Sequence, residues 1–307
     1  SRLVSGEIHR SNYEKVCIRS RKLASALEKD GVKKGDVIAT LALNTYRHLE
    51  MYYGISGMGA ITHTLNFRLH PEQAVYIINH AEDKIIFVEL PFVPILEALQ
   101  ENLKTVEKYV VLCEVDEMPE TTLKNAISYE EYIQDGDENY SWPTLEDDAA
   151  CALCYTSGTT GNPKGVLYSH KSNVIHAQAA LTAMTIKPDD TILMVVPLFH
   201  VLAWGIPYFG PMNGLKLVMP GMQMEGEPLF ELIDQEDVTL AFGVPTIWMG
   251  LLAYCRDNNK ILSSVKNTII GGSALSLATL QEFDEVHDVN VIHAWGMTEM
   301  SPLGTTN

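Results

Sequence analysis

The chain has 307 residues, 46% of them hydrophobic and 20% charged, a balance that describes a soluble globular protein with a sizeable buried core. Its 39 acids outnumber 22 Lys and Arg, for a formal net charge of −17, which argues against nucleic acid as a partner because neutralising phosphates needs clustered basic residues. No run of about 18 uncharged apolar residues occurs, so no transmembrane helix is expected, while peripheral contact with a membrane stays open.

Along the chain, helical and strand patterns alternate. Residues 13–30 are amphipathic, with Val16, Leu23 and Leu27 on one face, and Gly31 stops them. A buried strand over 37–43 and a helix over 46–58 follow, then a short strand at 61–65. Pro71 opens a helix to about residue 81, and 84–88 is strand again. Residues 94–103 read as helix and 109–112 as strand. The stretch 114–148 is acid-rich, contains Pro119, and reads as a surface connection. Beyond it, 149–154 reads as a buried strand and 166–168 as a return strand. Helices over 173–185, 228–235, 246–258 and 277–286 then alternate with strands over 191–196, 215–219, 239–243, 267–270 and 290–294. Strands separated by helices indicate βαβ units and parallel sheets. The expected fold is α/β, with two mostly parallel-sheet subdomains and flanking helices. Residues 1–113 form the first, 114–148 the connection and 149–307 the second.

Cysteines stand at 17, 113, 151, 154 and 255, mostly among apolar neighbours. Cys151-Ala152-Leu153-Cys154 has C-x-x-C spacing, but no second pair or His cluster completes a zinc site. A core role and a reducing, cytoplasmic compartment are expected.

The most informative stretch is Tyr155-Thr156-Ser157-Gly158-Thr159-Thr160-Gly161-Asn162-Pro163-Lys164-Gly165-Val166. Glycines free the backbone to curl and turn its N–H groups inward. The Ser and Thr hydroxyls add donors, and Lys164 adds a positive charge. A loop of this kind between two apolar strands suits the phosphates of a nucleotide, whereas a flexible linker would rarely be flanked so. It is not a Walker A motif, because Asn162 and Pro163 separate Gly161 from Lys164, and Gly165 rather than a hydroxyl residue follows.

Its spacing resembles, at every position, the signature of the adenylate-forming enzymes: acyl-CoA synthetases, luciferases and peptide-synthetase adenylation domains. Two further segments carry the same likeness, in the family's order. One is Pro197-Leu198-Phe199-His200-Val201-Leu202-Ala203-Trp204-Gly205. The other is His293-Ala294-Trp295-Gly296-Met297-Thr298-Glu299, preceded by Gly271-Gly272-Ser273-Ala274. The likeness spans nearly the whole chain and is greatest to medium- and long-chain fatty acyl-CoA synthetases. Independently of it, all three motifs follow strands, where ligands of open parallel sheets bind.

The resemblance implies roles for single residues. Thr156, Ser157, Gly158, Thr159, Thr160, Gly161 and Lys164 would hold ATP phosphates, with Thr156 and Glu299 at Mg2+ and Thr298 donating to the α-phosphate. One hydroxyl and one carboxylate suit a hard cation that keeps several waters. Glu299 taken alone reads as a solvated loop acid. Trp295 stands where the family commonly has Tyr and Ala294 where Gly is frequent. An aromatic plane there would pack on adenine, with Gly272, Ser273 and Ala274 opposite and His293, Gly296 and Met297 alongside. A lone His on an apolar segment is ordinarily structural, but His200 matches a residue beside the substrate carboxylate. Val201 and Trp204 would border the acyl tunnel, although a structural role for Trp204 remains open. The apolar segment Gly205-Ile206-Pro207-Tyr208-Phe209 offers no acid to pair an α-amine, which disfavours an amino acid.

The expected parent activity is ATP- and Mg2+-dependent activation of a medium- or long-chain fatty acid to acyl-AMP, then to a thioester with coenzyme A. Catalytic residues would be His200, Thr298 and Glu299. Alternatives are a CoA ligase for a short branched or aryl acid, and a non-catalytic nucleotide- or acyl-adenylate-binding module. The chain opens at Ser1-Arg2-Leu3 without an apolar signal segment and stops at Asn307, so a fragment of a longer enzyme is expected, lacking the ribose-binding Asp, hinge and C-terminal Lys.

Overall fold

Asn12 opens the first helix by accepting the Lys15 amide on its side-chain oxygen at 2.9 Å, satisfying one donor that has no intrahelical partner. The computed structural model describes residues 1–156 and 161–307, and divides them into two compact units. The first comprises Ser11–Ser172 and Leu198–Leu202; the second comprises Ser1–Arg10, Asn173–Pro197 and Ala203–Asn307.

In the first unit the elements run α1 (Tyr13–Lys29), β1 (Val37–Leu41), α2 (Tyr46–Gly57), β2 (Ile61–Thr64), α3 (Pro71–Ala81), β3 (Ile85–Val88), α4 (Val93–Leu99), β4 (Lys108–Val111), β5 (Ala126–Ser128), α5 (Tyr129–Gln134), β6 (Ala150–Thr156) and β7 (Lys164–Ser169). Among the described residues these make a seven-stranded sheet of order β5-β4-β3-β1-β2-β6-β7, parallel except for β6 against β7. Alternation along the strands sorts side chains to two faces. Ile38, Ile85, Phe87 and Val110 pack with Leu23 and Leu27 of α1 and Met51 and Ile55 of α2. Ala39, Ile86, Val88 and Val111 pack with Ile77 and Ile78 of α3 and Leu96 of α4. A parallel sheet covered on both faces explains strands that are apolar without interruption.

Two sequence expectations are corrected here. The boundary at residue 149 fails because β6 pairs with β2 in parallel, Thr62 opposite Ala152 and His63 opposite Leu153, so the strand pair flanking the glycine-rich loop closes the first sheet. Nor is 114–148 merely a connection: β5 pairs with β4, and α5 carries Glu130 into a charged cluster. Arg19 meets Glu130 with two bonds at 2.8 and 2.9 Å and Glu50 at 2.7 Å; Arg47 adds a bond to Glu130 at 2.9 Å; the Tyr129 hydroxyl donates to Glu50 at 2.9 Å. Glu50 is fully buried, and burial pushes its carboxyl up to about 7 against the pull of Arg19.

The boundary between units falls within α6 (His170–Ala183), after Ser172. The second unit continues with β8 (Thr191–Met194), α7 (Ile206–Met212), β9 (Lys216–Val218), α8 (Gly226–Gln235), β10 (Leu240–Gly243), α9 (Pro245–Asp257), β11 (Asn267–Ile270), α10 (Leu277–His287), β12 (Asn290–Gly296) and β13 (Leu303–Thr306). Six strands in the order β13-β12-β11-β10-β8-β9 are parallel apart from β13. Their core is apolar, built on Trp248, Leu251, Phe283, Leu229 and Ile270. α7 and β13 had no sequence signal; α7 is seven residues long and contains Pro211. The first ten residues join this unit across a long separation: the Arg2 amide donates to the Met219 carbonyl at 2.8 Å, and Arg10 pairs with Glu236, 226 positions on. Among the described residues no helix is long and apolar enough to cross a membrane, and Cys17, Cys113, Cys151, Cys154 and Cys255 are free thiols.

Candidate functional site

In the first unit, β6 delivers Thr156 to its C-terminal end and β7 returns with Lys164 directly opposite. The Thr156 hydroxyl lies 3.5 Å from the Lys164 carbonyl, and the Lys164 side chain is exposed, free to meet an anion. Gly161 has φ +99°, a left-handed conformation that glycine adopts without strain. Ser157, Gly158, Thr159 and Thr160, expected to hold phosphates, lie outside the described residues.

His200 also belongs to this unit, although the strand before it, β8, lies in the other sheet. Three bonds that no motif announced fix its segment: the Leu198 amide donates to Asn44 Oδ1 at 2.7 Å, the Tyr52 hydroxyl donates to the Leu198 carbonyl, and the Thr64 hydroxyl donates to the Phe199 carbonyl at 3.0 Å. His200 is exposed, yet desolvation by its neighbours lowers its pKa, which favours the neutral imidazole. The backbone then makes a left-handed turn, with φ of 40°, 41°, 43° and 56° at Val201, Leu202, Ala203 and Trp204 before Gly205 at 83°. Each non-glycine residue held so costs about 1 kcal/mol, an expense concentrated where the sequence placed Val201 and Trp204 beside substrate.

In the second unit, Gly271-Gly272-Ser273-Ala274 leaves the end of β11, and His293 to Gly296 form the end of β12. The two segments touch: His293 Nε2 lies 3.3 Å from the Ser273 carbonyl. A Cβ on Gly271 would stand 2.9 Å from the Ala294 carbonyl oxygen and 3.0 Å from the Trp204 ring, so only glycine lets this backbone pass between them. Trp204 is thereby brought against the proposed nucleotide segment. Trp295 is 56% exposed, and its ring edge lies over Gly304, where a Cβ would come within 2.7 Å. Such an open aromatic plane is available for stacking. Ala294 is buried, whereas Gly296, Met297 and Glu299 are exposed, and Thr298 and Glu299 sit on the short 3-10 turn Thr298–Met300. Gly272, with φ +84°, turns the backbone after β11.

His176, on α6, went unnoticed in the sequence. Its Nε2 accepts the Leu303 amide at 3.1 Å, and its ring leaves no room for a Cβ at Gly205. Burial pushes its pKa down to about 4, so it remains a neutral acceptor. It thus links the end of the turn bearing Trp204 to β13. The expected site residues therefore form two sets: Thr156, Gly161, Lys164, His200 and Val201 in the first unit, and Trp204, Gly272, Ser273, Ala274, His293 to Met297, Thr298 and Glu299 in the second.

The sequence matches the family model described as AMP-binding enzyme over residues 2–307. It is 47% identical over 305 residues to the medium-chain-fatty-acid–CoA ligase of Ectopseudomonas oleovorans, covering 99% of this chain and 56% of that protein. It is also 47% identical to the 3-methylmercaptopropionyl-CoA ligase of Ruegeria pomeroyi, covering 98% and 56%. The crystal structure of the anthranilate CoA ligase AuaEII with anthranoyl-AMP superposes with a TM-score of 0.88 at 24% identity, over 96% of this chain and 56% of that one, and shows the shared fold. The chain thus spans about half the length of the curated relatives it matches. Motifs, sheets and relatives agree that this chain belongs to the AMP-binding enzymes, the adenylate-forming superfamily.

Proposed function

We propose that the chain carries the ATP- and acyl-binding part of a fatty acyl-CoA synthetase, acting in the cytoplasm on ATP, a medium- or long-chain fatty acid and coenzyme A. The observation that supports this reading is the closeness of the Trp204 indole to Gly271 beside the Ala294 carbonyl, an apolar surface next to the segment we assign to adenine. In the first step a fatty carboxylate oxygen attacks the α-phosphorus of ATP, and the bond to the β-phosphate oxygen breaks to release pyrophosphate. In the second, the CoA thiolate attacks the acyl carbonyl and AMP leaves with the bridging oxygen. Such transfers depend mainly on positioning and charge neutralisation. Lys164 and the loop preceding it bind the β- and γ-phosphates, Thr298 donates to the α-phosphate, and Trp295 stacks on adenine. His200, neutral, orients the carboxylate by an N–H bond. Thr156 and Glu299 are hard oxygen donors suited to Mg2+, which when bound neutralises phosphate charge.

A second reading, a CoA ligase for a shorter functionalised acid on the same residues, is favoured by the equal identity to the 3-methylmercaptopropionyl-CoA ligase. Pyrophosphate release by the protein at its full natural length, over acids of graded chain length, decides between them. Each buried methylene adds roughly 0.8 kcal/mol, about fourfold, so the fatty-acid reading requires kcat/KM to climb with length. Glu299→Gln lowers release about 100-fold by loss of an electrostatic stabiliser. Release within about threefold of the parent at saturating Mg2+ overturns the role of Glu299.

A further inference from the structure

One cluster of the first unit lies immediately before the phosphate loop and takes no part in the steps above. His63 on β2 and Asp83 before β3 are fully buried, with His63 Nδ1 at 3.0 and 2.8 Å from the two carboxylate oxygens. His63 Nε2 has no hydrogen-bond partner among the described residues. Burying an imidazole and a carboxylate costs free energy that their attraction commonly fails to recover, so stability alone is a poor reason for the pair. What lies against it is Tyr155: the two ring centroids are 5.1 Å apart.

The strand geometry explains the approach. His63 faces Leu153 across the β2–β6 ladder, and Tyr155, two residues on, projects from the same face of β6. The paired residues of β2 and β6 end at Leu153, whereas those of β6 and β7 continue through Tyr155 opposite Gly165 and Thr156 opposite Lys164. Among the described residues, the last residues of β6 thus have a strand ladder on one side only. On the other side the support comes from side chains. The Tyr155 hydroxyl lies 2.6 Å from Nδ1 of His80 in the last turn of α3, and Tyr76 stacks on the His80 ring at 5.3 Å. Gly165 leaves the space, since a Cβ there would stand 3.3 Å from Tyr155 Cζ.

We propose that Tyr155, tied to His80 and packed on the His63–Asp83 pair, is a positioning residue that sets the end of β6 so that Thr156, and Lys164 opposite it, meet ATP in one geometry. This rests on the assignment of the loop between them to ATP phosphates. The bond to His80 is exposed and so adds little to stability. Its value lies in placement, one residue before Thr156.

The test uses the protein at its full natural length and compares Tyr155→Phe, His80→Ala, the double variant, His80→Gln and Lys164→Ala. The readouts are kcat, KM for ATP-magnesium, KM for fatty acid, and Tm. Tyr155→Phe and His80→Ala each raise KM for ATP about fivefold, the equivalent of about 1 kcal/mol for one hydrogen bond. KM for the fatty acid and Tm stay unchanged, the double variant is no worse than either single, and His80→Gln, whose amide oxygen accepts the hydroxyl, recovers most of the loss. If both single variants keep KM for ATP within about twofold while Lys164→Ala raises it about tenfold, the anchor is overturned and the loop assignment stands. Losses that add in the double variant, or that follow Tm, also overturn it. If Lys164→Ala leaves KM for ATP unchanged, the loop assignment fails and the anchor falls with it.

Discussion

The two units bury different things. The first carries Arg47, His48, Glu50, His63, Asp83 and Glu89 out of reach of solvent, linked by hydrogen bonds among α1, α2, α5 and the strand ends. The core of the second is aromatic and aliphatic around Trp248 and Phe283. Charge inside the first unit makes its stability depend on pH and on each partner being present. The cluster around Trp248 and Phe283 contains no acidic or basic side chain, so its own contribution should depend on packing and not on pH. The lesson is that two similar parallel sheets, both packed with apolar side chains, differ in how much charge is buried beside that packing, and variants can tell the two contributions apart.

The largest effect is expected from Trp248→Ala, which empties the centre of the second core and costs about 3–5 kcal/mol. Denaturant unfolding at pH 5.5 and 8 should give the same loss; a strong pH dependence would break the contrast. Arg19→Ala comes next, at about 3 kcal/mol at pH 8, because it strips buried Glu50 of its counter-charge. The loss should shrink at pH 5, where Glu50, with its pKa pushed up to about 7, takes a proton instead. Equal losses at both pH values would mean the cluster acts by shape after all. Gly271→Ala should cost about 1–3 kcal/mol by forcing a Cβ against the Ala294 carbonyl and the Trp204 ring. It should also disturb the chain-length profile of pyrophosphate release, and an unaltered profile would detach Trp204 from substrate.

The smallest change sharpens the comparison most. Glu89 is buried, accepts the Leu43 amide at 3.1 Å, and is raised to about 7 by burial. Between the ordinary glutamate value of 4.5 and 7 the folded protein retains a proton that the unfolded chain has released. Stability therefore falls as pH rises through that window. Glu89→Gln, which can still accept the amide, removes this slope and gains about 1 kcal/mol at pH 8. Urea midpoints measured from pH 4.5 to 8 check the sign, and a parallel curve for the variant would refute it.

Much of the fold was legible because a sheet covered on both faces writes its strands as apolar runs, as at Ile85–Val88 and Leu240–Gly243. What escaped was pairing across long separations. Nothing near residues 150–156 says that β6 joins β2, and that single contact moves the glycine-rich loop from the second sheet to the first. The acid-rich stretch hid α5 because Glu130 reads as solvated, whereas it receives two arginines. At the candidate site, motif residues were recognisable by spacing, as with Lys164, Trp295 and Glu299. Asn44, Tyr52 and Thr64, which fix the His200 segment, carry no local signal because each acts on backbone more than a hundred positions away.

Residues 1–10 give the second unit an unusual history. They leave the ribosome before all of the first unit, yet Arg10 finds Glu236 only 226 residues later. At about 5–20 residues per second, that is a wait of roughly 10–45 s. During synthesis the intervening stretch 11–172 acquires its own strands and helices while this leading segment has no sheet to join. These residues, made before all of the first unit, are thus among the last of the second to become ordered.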